Sequence, residues 1–253
     1  MPPLRRRLLA AAAIALTVAA CGRGARQYEY EEQLYLFPDG SATVVVNASI
    51  PALVALRGLP LDPAPRARLD RGAIRELVTE PGLEISRVSR PWRRHGRQFI
   101  QIRAETEDVR TLSRTRLFGW STYAYSSTQA GRQYSQLVGA PAGAASATAG
   151  WDGMELVAFK LHLPSRISTH NVRRLDTGEP GSVERGNILT WEQRLSDRMR
   201  GQPVDLQVAM ETGSILYRTL WLFAASFGAA IGLLALIVWR VVRRGRQRNA
   251  ARI

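Results

Sequence analysis

Residues 219–239, TLWLFAASFGAAIGLLALIVW, decide how the rest of the chain is organised. The stretch contains no charged residue, and Arg218 and Arg240 flank it. A helix rises about 1.5 Å per residue, so this stretch is roughly 30 Å long, which matches the hydrocarbon core of a bilayer. A helix that is apolar on every face over this length is typical of a membrane span. We therefore predict a transmembrane helix over residues 215–240.

The tail after the span is strongly basic. Six arginines and no acid follow Trp239: Arg240, Arg243, Arg244, Arg246, Arg248 and Arg252. On the other side only Arg218 lies near, and Glu211 opposes it. The positive-inside rule therefore predicts a cytoplasmic tail over residues 241–253 and a large domain outside the cytoplasm. A nucleic-acid-binding tail is the disfavoured alternative in this position, so we predict no nucleic-acid partner.

The N-terminus predicts export and lipid attachment. Three arginines at positions 5–7 precede a short apolar run, residues 8–20, and this pattern indicates a signal peptide over residues 1–20. It ends in Val-Ala-Ala-Cys, residues 18–21, which resembles the lipobox of bacterial lipoproteins. The resemblance implies cleavage before Cys21, diacylglycerol on its sulfur and an acyl chain such as palmitate on the new amino terminus. An ordinary signal peptide with a chance cysteine is the alternative.

The composition limits the chemistry of the mature chain. Cys21 is the only cysteine in the sequence, so no disulfide and no cysteine-based zinc site can form within one chain. The formal net charge of the chain is +14, but nine of the arginines that produce it lie in the predicted signal peptide and in the basic tail. The domain is thus mildly basic, which suits an anionic lipid surface and is weak support for nucleic-acid binding.

Hydrophobic alternation predicts an α+β domain over residues 21–138. Residues 27–50 predict a hairpin around the turn sequence Pro-Asp-Gly-Ser, residues 38–41. Two more hairpins are predicted at residues 83–105, with a loop at 90–97, and at residues 119–138, with a turn at 129–131. Short helices are predicted at residues 51–58, after Asp70 as N-cap, and at 106–114 with Thr106 as cap.

The second half of the chain predicts more strands. Residues 139–150, GAPAGAASATAG, contain no side chain able to build a core, so we interpret them as a linker or mobile loop. Residues 151–214 form a predicted β-rich segment. Its strands are expected at residues 154–163, 166–172, 188–195 and 204–211. Whether this segment packs with residues 21–138 as one domain stays open at this point.

No catalytic signature is present. The sequence lacks a nucleophile elbow, an HExxH zinc motif and a phosphate-binding glycine loop, so we predict no catalytic residue, no metal and no cofactor. The histidines are His95, His162 and His170, too few and too dispersed to predict a metal site. His170 and Asp176 could belong to a hydrolase triad, but a chain of this length offers such pairs by chance.

The loop at residues 90–97 is the best candidate for a functional surface. Its arginines suit phosphate and its tryptophan suits the lipid–water interface. The predicted lipid-head-group contacts are Arg90, Trp92, Arg93, Arg94 and Arg97. The alternative is a solvated hairpin tip with Trp92 packed on the sheet.

Small residues recur on one face of the predicted span. Ala224, Gly228 and Gly232 are spaced by four residues, and such a face allows two membrane helices to approach closely. The sequence therefore raises the possibility of a homodimer through the span. The alternative is the ordinary abundance of small residues in membrane helices.

The whole layout resembles the LppM-type bacterial membrane lipoproteins. The matching stretches are residues 18–21, residues 37–41 at the DGS turn, and residues 187–191 ahead of the span. The resemblance implies an extracytoplasmic α+β lipoprotein domain in the bacterial cytoplasmic membrane and assigns no catalytic residue. We expect a non-enzymatic, doubly anchored domain that binds an envelope lipid or protein partner. An envelope hydrolase and a structural subunit of a membrane complex are the alternatives.

Overall fold

The computed structural model describes residues 28–143 and 150–250, without the side chains of residues 214–218 and 241–250. The predicted signal peptide, Cys21 and half of the predicted linker, residues 144–149, lie outside the described residues. The described chain folds as two β-sheets with short helices and one long C-terminal helix. The predicted α+β class is confirmed.

The first sheet contains seven strands and the second contains four. In chain order the strands are β1 Tyr28–Leu36, β2 Ala42–Ser49, β3 Glu84–Val88, β4 Trp92–Arg94, β5 Arg97–Thr106, β6 Ser121–Thr128, β7 Gly131–Val138, β8 Leu156–His162, β9 Ser165–His170, β10 Ile188–Arg194 and β11 Val204–Ser214. The first sheet has the order β10-β8-β1-β2-β5-β3, with β4 also paired to β5. The second has the order β6-β7-β11-β9.

The first hairpin forms as predicted. β1 and β2 are antiparallel, with Leu36 opposite Ala42. Gly40 has φ +94°, a conformation that glycine adopts without strain, and the Asp39 carboxylate accepts hydrogen bonds from the backbone and hydroxyl of Ser41. The alternating apolar side chains of β1 point into the core, where Tyr30 and Leu34 are fully buried. Turn chemistry and alternation together therefore fix this register.

The other two hairpins are also present, with one difference. β6 and β7 pair from Ser121 opposite Val138 to Thr128 opposite Gly131. β3 pairs with β5, as predicted. The predicted loop at residues 90–97, however, contains strand β4, because the backbone of Trp92 to Arg94 continues the pairing with β5.

The short helices contact strands of both sheets. Helix α1 is Ile50–Arg57, helix α2 is Arg71–Val78, and a 3-10 helix spans Val109–Arg114. Asp70 caps α2 as predicted, since its carboxylate accepts from the amides of Gly72 and Ala73. The predicted cap of the third segment is wrong: Asp108 caps it through the amide of Arg110. Helix α3, Leu195–Met199, was not predicted.

The two halves of the chain share both sheets. β8 runs parallel to β1, with Tyr28 opposite Leu156 and Tyr35 opposite His162, and β10 extends the sheet beyond β8. β9 and β11 extend the sheet that β6 and β7 begin. A single group of buried side chains joins residues from both halves. Residues 151–214 therefore complete the sheets of residues 28–138 instead of forming a fold of their own.

Helix α4, Ile215–Ala250, begins directly after β11. Its segment Thr219–Arg240 has a mean hydropathy of 2.2, and none of it is buried against the domain. It is long and apolar enough to span a membrane. Because this segment contributes nothing to the core, the sheets and their packing are complete without it.

Candidate functional site

The hairpin of β4 and β5, which contains Trp92, is built around a tight turn. His95 and Gly96 both have positive φ, +47° and +75°, as in the two-residue turns that match the twist of antiparallel strands. The turn sets Trp92 opposite Phe99, and the two rings stack with centroids 5.9 Å apart. Phe99 is buried, whereas Trp92 stays 40% exposed. The indole is thus held in place on one face and open to solvent on the other.

Three of the predicted contact arginines lie within two residues of Trp92 in the chain and have accessible side chains. Arg90 and Arg93 are exposed, and Arg94 is half-buried. None of the three forms an ion pair with a described residue. The Trp92 hairpin, which we define as Arg90, Trp92, Arg93 and Arg94, therefore offers an aromatic surface flanked by free guanidinium groups.

Arg97 does not belong to this surface, and its predicted role as a lipid contact is corrected. Its side chain is turned inward and is paired with the buried Glu29 carboxylate at 2.8 Å, with Glu155 at 3.7 Å. It also donates to the backbone carbonyl of Gly150. Arg97 thus joins the start of β5 to the start of β1 and to the chain just before β8. A buried, paired guanidinium cannot reach a lipid phosphate.

The register places the Trp92 hairpin far from the start of α4. β1 begins at Tyr28, beside the Arg97–Glu29 pair, and ends at Leu36, where β8 also ends. β9 starts three residues after β8, at Ser165, and Ser165 pairs with Ser214 at the last position before the helix. Since β1 rises about 3.3 Å per residue, the two ends of the domain are roughly 26 Å apart.

The small-residue face of α4 is open in the single chain. A Cβ atom added at Gly228 or Gly232 would meet nothing within 4 Å, and Ala224 is exposed on the same face. The helix therefore presents the predicted face without a partner from its own domain, and pairing through Ala224, Gly228 and Gly232 stays a prediction.

A buried polar network between the sheets was not predicted as a site. Glu32 on β1 is buried and accepts hydrogen bonds from the hydroxyl of Tyr30 at 2.9 Å and of Tyr123 at 3.2 Å, and from the amide of Gln136 at 2.9 Å. Burial raises the pKa of Glu32 above its usual value, although these donors and the charge of Arg57 oppose the shift. The sequence carried one signal, since Glu32 interrupts the apolar face of β1.

Two buried arginines lie against one tryptophan beside this network. The Arg57 guanidinium carbon is 4.2 Å from the centre of the Trp120 ring and that of Arg198 is 5.6 Å away. Arg57 donates to the carbonyl of Leu117, and Arg198 donates to that of Gly139. Burial lowers the pKa of Arg198 to about 10, so it remains charged at neutral pH. These cations fasten loops to the core and face no solvent.

The histidines are dispersed and no described group of acids, histidines and cysteines could hold a metal ion. His162 stacks on Tyr35 at 4.1 Å, and its pKa is lowered by burial and then by the charge of Lys160. His170 lines a polar groove of 590 Å3 on the second sheet together with Ser126 and Ser135. No acid lines this groove, so a hydrolase triad through His170 lacks its third group there.

Comparisons with known proteins find little. No protein-family model matches the sequence. No curated protein matches it either. Among solved structures, the chain is similar to the NMR structure of the folded domain of the LppM protein of Mycobacterium tuberculosis, with 11% sequence identity and a TM-score of 0.36. The similarity covers 77% of this chain and 96% of that one. The neighbour belongs to the lipoprotein type that the sequence resembles, but at this score we draw nothing further from it.

Proposed function

We propose that this chain is a non-enzymatic domain of the bacterial cytoplasmic membrane, anchored by a lipid on Cys21 and by the helix Thr219–Arg240, that binds anionic lipid head groups through its Trp92 hairpin. The observation that carries the proposal is the helix. It is apolar, entirely unburied by the domain, and continuous with β11. In water, its exposed apolar surface would cost about 25 cal/mol for every Å2.

The charges flanking the helix support the orientation. Six arginines follow Trp239, and the sequence near the other end of the span contains Arg218 together with the opposing Glu211. This asymmetry favours a cytoplasmic C-terminus and an extracytoplasmic domain. The apolar run and lipobox-like residues 18–21 at the N-terminus support the same side independently, because a lipoprotein signal directs the chain out of the cytoplasm.

The chemistry of the Trp92 hairpin supports a lipid surface as its partner. Tryptophan prefers the head-group region of a bilayer, where its ring is half in an apolar environment. Arginine binds phosphate through paired N–H groups, and each one near an anionic surface contributes about 1 kcal/mol. Trp92 supplies the aromatic contact and Arg94 a guanidinium on the same face of strand β4, while Arg93 faces the other side of the strand.

Vesicle binding tests the proposal. A chain of residues 22–214 keeps the complete core and lacks both proposed anchors, so it can be mixed with phosphatidylcholine vesicles with and without phosphatidylglycerol. Changing Arg93 and Arg94 to glutamine should weaken binding to the anionic vesicles roughly 30-fold, from about 2 kcal/mol of lost attraction. Adding Trp92→Ala should weaken it further.

The control removes the same kind of charge elsewhere. Arg173 and Arg194 are exposed, form no described ion pair, and lie near or on β10 at the opposite edge of the first sheet. Changing both to glutamine should reduce binding far less than the hairpin variant does. Equal losses for the two pairs would contradict a hairpin contact, and absence of binding to anionic vesicles by the unaltered domain would refute lipid recognition altogether.

A further inference from the structure

Eight exposed or half-buried arginines lie around one edge of the first sheet. The exposed or half-buried arginines between residues 62 and 94 form no ion pair with any described residue. We call them the basic edge: Arg66, Arg68, Arg71, Arg75, Arg87, Arg90, Arg93 and Arg94. Five acids, Asp62, Asp70, Glu76, Glu80 and Glu84, lie within the same stretch of chain, so its eight arginines leave it with a net charge of +3.

Hydrogen bonds show that these residues share one surface although they belong to different elements. The Gln98 side chain donates to the carbonyls of Ala64 and Ala67, which places the loop before α2 beside the start of β5. Gln98 is also the partner of Arg93 across the hairpin. Arg75 on α2 donates to the carbonyl of Ser86 on β3. The loop, α2, β3 and the Trp92 hairpin are therefore contiguous.

The far end of the domain has the opposite charge. A groove of 790 Å3 near the DGS turn is lined by the carboxylates of Glu80, Glu84, Glu105, Glu107 and Asp108. It lies at the Leu36 end of β1, the end at which α4 begins. Positive and negative charge are thus separated along the roughly 26 Å of the strands. An anionic bilayer attracts the hairpin end and repels the acidic end, which the helix nevertheless holds at the membrane.

We propose that the basic edge is the side on which the domain lies along the anionic surface of the membrane that its own helix spans. This inference rests on the proposed function and extends the contact from the Trp92 hairpin to Arg66, Arg68, Arg71 and Arg87. The helix fixes one end of the domain at the bilayer. The lipid on Cys21 fixes the other, because the chain between Cys21 and Tyr28 spans at most about 24 Å.

The lengths exclude an upright domain with both anchors engaged. In an upright domain Tyr28 would lie roughly 26 Å above Ser214, and Ser214 itself precedes the span by several residues. A seven-residue connection could not then return Cys21 to the head groups. The domain must therefore tilt away from the upright position, and charge selects the basic edge as the side that turns down.

Fluorescence quenching by labelled lipid head groups measures this orientation in the full chain. Once lipidated, Cys21 has no free thiol, so a second cysteine can be labelled alone. Ala73 on α2 lies on the basic edge, and Ala124 on β6 lies on the outer face of the second sheet. Both residues are exposed. Ala73→Cys and Ala124→Cys are matched substitutions, and each labelled protein is placed in nanodiscs that contain phosphatidylglycerol.

The dye at Ala73→Cys should be quenched several-fold more than the dye at Ala124→Cys. Changing Arg66, Arg68, Arg71 and Arg87 to glutamine should remove most of this difference. Arg173→Gln with Arg194→Gln, which removes two charges elsewhere on the domain, should leave the difference unchanged. Circular dichroism of each variant verifies that the sheets are intact.

Equal quenching at the two positions in the unaltered background would overturn the inference, as would quenching that persists after the four arginines are replaced. These results are separate from the fate of the proposed function. If the Trp92 hairpin variants still weaken vesicle binding while the two dyes are quenched equally, the hairpin contact stands and the flat orientation is wrong. If the unaltered domain does not bind anionic vesicles, lipid recognition, and with it the proposed function, is refuted.

Discussion

The charge state of Glu32 should govern how the stability of the domain depends on pH. Burial raises the pKa of this carboxyl in the folded state above the value near 4.5 expected in the unfolded chain. The folded state therefore holds the proton more tightly. Its contribution to the free energy of unfolding is fully present below the unfolded pKa and is lost as the pH rises through the folded pKa.

Two substitutions separate the charge of Glu32 from its hydrogen bonds. Glu32→Gln keeps the shape but cannot ionise, so its stability should change little over the range in which the unaltered domain loses stability with rising pH. Glu32→Leu leaves two buried donors without an acceptor, namely the hydroxyls of Tyr30 and Tyr123, whereas the amide of Gln136 keeps the hydroxyls of Ser121 and Tyr123 as acceptors. At roughly 1 kcal/mol or more for each orphaned donor, it should lose about 2 kcal/mol at acid pH.

Both effects are measured by urea unfolding of the domain ending at Ser214. Unfolding is monitored by tryptophan fluorescence at a series of pH values from 4 to 8. Glu107→Gln is the control, because this carboxylate is exposed and its loss should leave the pH dependence of stability as it is in the unaltered domain. The reasoning is refuted if the unaltered domain and Glu32→Gln show parallel pH profiles, since the buried carboxyl would then contribute nothing to the difference.

Four further outcomes are expected. Arg97→Ala should lower the free energy of unfolding by about 3–5 kcal/mol because it leaves Glu29 buried without its cation, whereas Arg93→Ala should change it by no more than about 0.5 kcal/mol in the same urea assay. Intact mass of the protein purified from bacterial membranes should match a chain beginning at an acylated Cys21, and Cys21→Ser should retain residues 1–20; an unacylated mature chain would contradict lipidation. Alkaline phosphatase fused after Ile253 should be inactive in cells, because it would remain in the cytoplasm. Full activity would show that the C-terminus lies outside and would contradict the proposed topology. Gly228→Leu with Gly232→Leu should weaken any dimer detected by cross-linking in detergent, while Ala230→Leu on the other side of the helix should not; no dimer in the unaltered protein would remove the pairing face.

Local patterns predicted the local parts of the fold. The hairpin of β1 and β2 follows from alternation around a four-residue turn, and the cap of α2 follows from Asp70 standing just before the helix. Each of these depends on residues a few positions apart. The helix Thr219–Arg240 was equally readable, because length and composition alone identify a span.

Long-range partners were not readable from the sequence. The parallel pairing of β1 with β8 joins residues more than a hundred positions apart, and the sequence of neither strand identifies the other as its pairing partner. The same limit explains the error over Arg97. It stands among similar arginines in the sequence, and only Glu29, 68 positions away, shows that it is a core residue. Glu32 interrupts the apolar face of β1 in the sequence, but its partners on β6 and β7 lie 91 and 104 positions away.

The ion pair of Arg97 with Glu29 connects two parts of the proposed membrane contact, namely the Trp92 hairpin and the start of β1, which follows Cys21. Its guanidinium binds Glu29, the second residue of β1, while its own backbone pairs with Arg94 in the Trp92 hairpin. The hairpin is thereby fixed relative to the place where the chain from Cys21 enters the sheet. A lipid on Cys21 that pulls on β1 must move the hairpin with it, because a buried ion pair resists separation more strongly than an exposed one. Arg97 would then act on lipid binding as a positioning residue, through the hairpin, without contacting a phosphate itself.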